Sequence, residues 1–225
     1  MKAIIIAAGS GKRISSNFSE LPKGLIQVNG VSVISRQISL FKKNGIDEII
    51  VITGPFKEKF PMMDVTYVHD EKFEEHDILG SLMEAREHIC NDTIITYSDI
   101  IFEDSVLKSI LQANFDIGIA VDLDWKIGYE NRKLHPMSEA ENILFDKSRN
   151  ILEIRKNIQN SDLEVGEFLG IIKLSNNGCK SLLKKYNEIR NKNDEQFHDA
   201  KSITKAYITD MIQELIESKI EVKPI

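Results

Sequence analysis

The stretch A-I-I-I-A-A-G-S-G-K-R-I-S-S, residues 3–16, decides how the rest of the chain is read. Residues 3–8 are continuously apolar, the pattern of a parallel strand covered on both faces. Gly9, Ser10 and Gly11 follow with no spacer. Glycine admits positive φ and lets a ligand approach the backbone amides closely. Several N–H groups pointing one way form a nest for an anion. Lys12 and Arg13 bring positive charge to the same point. Together these features suit a triphosphate. Alone, the stretch also fits a tight strand-to-helix turn with solvated charges. Two phosphate loops are set aside: the Lys-Ser/Thr pair of the Walker loop is missing at its spacing, and Ile14 stands where the dinucleotide fingerprint needs its third glycine.

Outward from this turn, strand-like runs alternate with helical patterns. A helix is predicted over 33–43, with Ile34, Ile38, Leu40 and Phe41 on one side and Gly45 just past its end. Strands are predicted over 48–52, 65–68, 93–97 and 116–121, and helices over 79–89 and 105–111. This β-α-β order predicts an α/β fold, a three-layer α/β/α sandwich with a mixed, mostly parallel, Rossmann-like central sheet. Residues 122–136 are polar, and short strands over 142–145 and 151–154 follow. A strand over 167–174, helices over 176–189 and 202–218 and a last strand over 219–224 complete the chain. The expectation is one domain over 1–225, with about 122–165 as a small inserted lobe above the carboxyl edge of the sheet, where such folds bind ligands.

The 225 residues are 42% hydrophobic, enough for a sizeable core. The net charge of −6 gives no electrostatic reason to expect nucleic acid or a membrane surface. No apolar run reaches the roughly 18 residues that span a bilayer, and the start lacks the pattern of a signal peptide. Cys90 and Cys179 stand in no metal-like spacing, and two reduced, buried thiols are expected. A cytoplasmic protein is the expectation.

Ala7-Ala8-Gly9-Ser10-Gly11-Lys12-Arg13, followed by Leu21-Pro22-Lys23-Gly24-Leu25, resembles the nucleotidyltransferase family that activates phosphorylated small molecules with NTPs. The family pattern is a strand, A-A-G-x-G-x-R, then P-K-x-L. In detail, "TYSDIIF", "VDLDWKIGYENRKLHPMSEAENI" and "GEFLGIIKLSNNG" look like the cytidylyltransferases acting on phosphocholine and phosphonates, including those linked to phosphoenolpyruvate mutase.

The resemblance implies transfer of CMP from CTP to an aminoethylphosphonate- or phosphocholine-like acceptor, with loss of pyrophosphate. A sugar-1-phosphate acceptor, or a non-catalytic NTP-binding relative, is the alternative. It implies that the backbone of Ala7, Ala8, Gly9, Ser10, Gly11 and Lys12 holds the nucleotide, that Arg13 binds the β- and γ-phosphates and that Lys23 reaches the α-phosphate. Asp99, closing the strand "TIITYS", is implied as the ligand of Mg2+; a helix N-cap is the plainer reading. Ser81 in "DILGSLMEA" is implied near the base and acceptor, although Asp77 replaces the family's asparagine; a packed or capping serine is the plainer reading.

On the acceptor side, Trp125 with Tyr129 and Tyr97 would form a box for an amine, with Asp122, Asp124 and Glu130 adding negative charge; a tryptophan packed in the core or lobe is the plainer reading. Arg132 and His135 lie in a candidate acceptor loop with Glu139 and Glu141, and Glu167 precedes an apolar strand. His198 and Asp199 read as helix caps, and Asp210 is ambiguous. The family continues into a G-x-W-x-E-I-D-like segment with a further metal-site aspartate. This sequence stops at Glu221-Val222-Lys223-Pro224-Ile225, so a shortened chain, or another residue or subunit in that role, is expected. The resemblance leaves room for a homodimer and for a fusion or pathway partner in phosphonate or surface-glycan metabolism.

Overall fold

The computed structural model describes residues 1–9, 21–130, 132, 136–158, 162–191 and 196–225. Strand β1 (Lys2–Ala7) is an interior strand of a nine-stranded sheet among these residues. Parallel to it lie β4 (Glu48–Thr53) on one side, followed by β5 (Thr66–His69), and β6 (Thr93–Tyr97) on the other. Beyond β6 come the antiparallel β10 (Val165–Leu174), then β7 (Ile117–Asp122) and the two-residue β11 (Lys223–Pro224). A small hairpin, β2 (Gln27–Val28) and β3 (Val31–Ser32), leads into helix α1 (Val33–Lys43).

The apolar run of β1 is continuous because both faces are covered. Ile4 and Ile6 face α2 (Ile78–Glu84), α4 (Asn176–Arg190) and α5 (Ile208–Glu217), meeting Leu79, Leu182 and Ile212 in one buried cluster. Ala3, Ile5 and Ala7 face α1 and α3 (Asp104–Gln112), meeting Ile34, Phe41, Leu107 and Ile110 in a second. Alternate Cβ atoms of one strand thus feed two cores, and three layers result.

The stretch between β7 and β10 folds as a hairpin of β8 (Glu141–Phe145) and β9 (Ile151–Lys156). The hairpin is not detached from the main sheet. The first part of β10 pairs with β8, Val165 opposite Leu144, and its second part pairs with β6, Ile171 opposite Thr96. A bulge between Phe168 and Ile172 on the β7 side re-aims the strand. Gly170 sits there at φ +73°, and a Cβ would fall 2.6 Å from Tyr97 Cδ2. One strand thereby holds the hairpin over the carboxyl ends of β1 and β6.

Three expected elements change. The helix predicted over 202–218 is a 3-10 turn at Ile203–Lys205, an extended link and then α5. The carbonyls of Thr204 and Ala206 accept from Asp77 N (2.9 Å) and Leu79 N (3.1 Å), so they serve the start of α2. Asp210, ambiguous from sequence, accepts from Tyr207 N at 2.7 Å and caps α5. The helix predicted over 79–89 ends at Glu84, and a 3-10 turn at Arg86–His88 follows. Only two residues of the last predicted strand pair, because Lys219 at φ +63° closes α5 with Ile220 N bonded to Leu215 O. His198 is no cap: at φ +50° its ring meets Phe197 edge-on and Nε2 lies 3.3 Å from Glu214 Oε2.

Candidate functional site

A cleft of about 610 Å³ opens above the carboxyl ends of β1 and β6. These strands run in register, Ile6 beside Tyr97, and Ser98 N donates to Ile6 O at 3.2 Å. Ala8 and Gly9 therefore leave β1 next to Ser98 and Asp99. Gly54, just after β4, presses on the same turn: a Cβ there would lie 2.3 Å from Ala8 O. Ala7 turns into the core below, 3% exposed. Ser10, Gly11, Lys12 and Arg13 lie outside the described residues.

Lys23 opens a 3-10 turn, Lys23–Leu25, whose Gly24 packs on Ser98. That packing sets Lys23 Nζ 3.0 Å from Asp99 Oδ2, both side chains partly exposed on the cleft wall. Asp99 belongs to no group of three or more clustered metal-ligating side chains among the described residues. It offers an ion one carboxylate. That donor set fits Mg2+, which commonly takes one or two carboxylates and fills its other positions with water and phosphate oxygens.

Ser81, on α2, lines the cleft and is tied down from behind. Its hydroxyl donates to Asp70 Oδ2 at 2.7 Å, and His76 Nδ1 lies 3.0 Å from Oδ1 of the same carboxylate. Asp70 is fully buried and also accepts from Lys72 N at 2.9 Å. A buried carboxylate is tolerated when its oxygens are hydrogen-bonded in this way. Asp70 and His76 were not legible as site residues, since within "HDEKFEEHD" they look like members of a solvated acidic run.

The opposite wall belongs to β8, β9, β10 and the 3-10 turn Trp125–Tyr129. Tyr129 donates a short hydrogen bond to Glu167 Oε1, and Arg132 lies over the Tyr129 ring, 4.5 Å from its centroid. These three come together as expected. Trp125 does not join them on the wall. It is 4% exposed, its Nε1 donates to Val165 O at 2.9 Å, and it meets Tyr129 edge-on at 5.6 Å. The indole backs Tyr129 from the lobe's own small core. His135 lies outside the described residues.

Asp122 and Asp124 are also elsewhere: Asp122 Oδ1 accepts from Asp124 N at 2.8 Å in a local turn, and neither they nor Glu130 line the cleft. The wall's negative charge comes instead from Glu139, Glu141 and Glu167. Glu141 reaches inward from β8, with Tyr97 Oη and Thr209 Oγ1 donating at 3.4 Å each. Burial raises its carboxyl from the usual 4.5 to about 7. Burial raises Glu167 as well, and lifts the Tyr129 phenol far above its usual value, with Glu167 adding to the effect. Lys156 pairs with Glu139 at 3.0 Å and lies over the Tyr207 ring at 4.5 Å. Lys156 and Tyr207 escaped sequence reading because neither sits in a motif; β9 and the entry to α5 converge on the cleft only in three dimensions.

Among the described residues the cleft thus has the Lys23–Asp99 pair beside Ala8 and Gly9 at one end, and Glu139, Glu141 and Glu167 with Arg132 and Lys156 among them about the β8–β9 hairpin. No described helix is long and apolar enough to cross a membrane.

Residues 3–143 match the model of the MobA-like NTP transferase domain. The chain is 24% identical over 228 residues to a CTP:phosphoglutamine cytidylyltransferase of Campylobacter jejuni, covering 96% of this chain and 88% of that protein. It is 32% identical over 119 residues to a choline-phosphate cytidylyltransferase of Streptococcus pneumoniae, spanning about half of each chain (51% and 52%). To a 2-aminoethylphosphonate cytidylyltransferase of Lancefieldella rimae it is 31% identical over 108 residues (45% and 44% of the two). Among solved structures, the CTP:phosphocholine cytidylyltransferase of Streptococcus pneumoniae superposes with a TM-score of 0.70 at 20% identity, over 100% of this chain and 89% of that one. The inositol-1-phosphate CTP transferase of T. maritima gives 0.72 at 18% identity, over 100% and 84%. These two share the fold. With the A-A-G-S-G-K-R and P-K-G-L motifs in order and a family model matching residues 3–143, the chain belongs to the MobA-like NTP transferase family.

Proposed function

We propose that this chain transfers a cytidylyl group from CTP to a small acceptor carrying a phosphate or phosphonate, releasing pyrophosphate. The observation that carries this reading is Lys23 Nζ held 3.0 Å from Asp99 Oδ2 beside Ala8 and Gly9, at one end of a cleft whose other end is rich in carboxylates. The choice of CTP and of the acceptor class is supported by the relatives from Campylobacter, Streptococcus and Lancefieldella.

In the reaction, an acceptor phosphate or phosphonate oxygen attacks the α-phosphorus in line. The new P–O bond forms as the bond from the α-phosphorus to the bridging oxygen breaks, and pyrophosphate leaves with that electron pair. Both reactants are anions, so the protein's task is neutralisation and alignment rather than covalent catalysis. Lys23, a persistent charge with three donors, suits the α-phosphate. Arg13, by the resemblance, serves the outer phosphates. Ala8 and Gly9 offer backbone where the nucleotide would enter, and Ser81, fixed by Asp70, lines the wall between nucleotide and acceptor. Tyr129, Arg132 and Glu167 serve the acceptor. Mg2+ would be held by Asp99, and when bound it supplies Lewis-acid neutralisation of the phosphate oxygens. A cytoplasmic setting belongs to the same reading and is supported by the two free thiols, Cys90 and Cys179.

Pyrophosphate release, measured for four ribonucleoside triphosphates against phosphocholine, 2-aminoethylphosphonate and sugar 1-phosphates with and without magnesium, tests this. Release with CTP and an amino-bearing acceptor is expected. Release with sugar 1-phosphates instead would change the acceptor, and absence of release with every pair would reduce the chain to a nucleotide binder.

A further inference from the structure

Within the cleft, a cation on the acceptor would meet either aromatic faces or carboxylates. The protein has already used two of the aromatic faces itself. Arg132 covers Tyr129 at 4.5 Å, and Lys156 covers Tyr207 at 4.5 Å. Tyr97 is met edge-on by Phe168 at 5.9 Å, and the one tryptophan stands behind the wall. A quaternary ammonium donates no hydrogen bond and depends on such faces. A primary ammonium has three N–H donors and seeks oxygen acceptors.

Glu141 offers them. Its carboxylate is sunk in the cleft wall and forms no ion pair among the described residues. Its hydrogen-bond partners are the neutral hydroxyls of Tyr97 and Thr209, both at the long distance of 3.4 Å. Lys156, the nearest cation acting on it, has its ammonium committed to Glu139. Asp210, on α5, adds like charge. A carboxylate so placed is short of a positive partner, and neutralisation by a ligand relieves its desolvation.

We infer that Glu141 accepts hydrogen bonds from a primary ammonium group on the acceptor, so that the chain selects amino-bearing phosphonates or phosphomonoesters over their quaternary ammonium counterparts. The inference rests on the cytidylyl-transfer reading and names the substrate class of the same cleft. The burial that raises the Glu141 carboxyl is consistent with a group awaiting a cation.

The test is steady-state pyrophosphate release with CTP and three primary amines (2-aminoethylphosphonate, O-phosphoethanolamine and O-phosphoserine). Each is paired with its N,N,N-trimethyl counterpart, and ethylphosphonate, a phosphonate with no ammonium group, serves as the control. The wild-type protein is expected to show a KM at least tenfold lower for one or more amines than for the trimethylated partner. Glu141→Gln is expected to raise that KM tenfold or more, to move the trimethyl KM less than threefold and to leave the KM for CTP unchanged. Its melting temperature controls for folding, and the wild-type comparison does not depend on the variant. Equal use of amine and trimethylated partner, efficient use of ethylphosphonate, or an equal effect of Glu141→Gln on both partners overturns the inference. Calorimetry with CTP separates the two failures. CTP binding with turnover of the trimethylated partners but of no amine sinks only the ammonium assignment, whereas CTP binding without turnover of any acceptor sinks the transfer reading as well. No heat with CTP sinks the nucleotide reading and this inference with it.

Discussion

Lys23 Nζ lies 3.0 Å from Asp99 Oδ2, joining two residues 76 positions apart in sequence. Both side chains are partly exposed, 29% and 40%, so the pair contributes only about 0–1 kcal/mol to folding. The pair lines the cleft beside Ala8 and Gly9, where the proposed reaction gives Lys23 another task. Lys23→Ala should lower kcat by on the order of 10²–10³-fold, the usual effect of removing one positioned charge donor. Thermal unfolding of the variant should be nearly unchanged. A fall in melting temperature in proportion to activity would make Lys23 structural.

Gly54 lets β4 end against the turn that leaves β1, since any Cβ there would stand 2.3 Å from Ala8 O. Backbone cannot yield as a flexible side-chain tip can. Gly54→Ala should cost about 1–3 kcal/mol in urea denaturation and displace Ala8 and Gly9. The KM for CTP should rise while discrimination among acceptors persists. A fully active, equally stable variant would remove Gly54 from the site.

Asp70 is fully buried and accepts hydrogen bonds from Ser81 and Lys72 N, with His76 Nδ1 alongside. Asp70→Ala leaves these groups without their acceptor and should destabilise the fold by about 3 kcal/mol. Ser81→Ala removes one donor only and should cost about 1 kcal/mol. Chemical denaturation of the two variants and their double mutant checks this. Additive losses would show that the Ser81–Asp70 bond is not coupled energetically.

Glu141 titrates near 7 in the fold against about 4.5 as its usual value, because burial penalises its charged form. Between those values the folded chain keeps a proton that the unfolded chain has lost. Its contribution to stability is therefore full below about pH 4.5 and fades as pH rises through about 7. The span corresponds to about 3 kcal/mol. Glu141→Gln should flatten this part of the stability-versus-pH curve and gain relative stability above pH 7. An unchanged slope in denaturation measured from pH 5 to 8 would contradict it.

The alternation of short apolar runs with helical periods made the three layers and the parallel core legible in sequence, because strands buried on two faces leave continuous apolar stretches. β1, α1 and β6 follow the expected bounds to within a residue or two. The family resemblance carried by the glycine turn and Pro22-Lys23-Gly24-Leu25 implied Lys23, and the same resemblance implied Asp99 at the end of the strand "TIITYS". The acceptor wall followed no such rule. In sequence Glu141 is one member of a charged loop, and Lys156 and Tyr207 sit in no motif. β10, bent at Gly170, brings the β8–β9 hairpin over the sheet and turns alternate residues of those strands inward. Trp125 takes the packed place that is the plainer reading of a lone tryptophan. The lobe had to bury an aromatic residue beneath Tyr129, and local sequence does not say which ring faces the cleft and which supports it. Local sequence pattern therefore determined the scaffold, whereas long-range strand pairing decided which side chains line the far wall of the cleft, because residues distant in the chain meet only when β8, β9 and β10 pair.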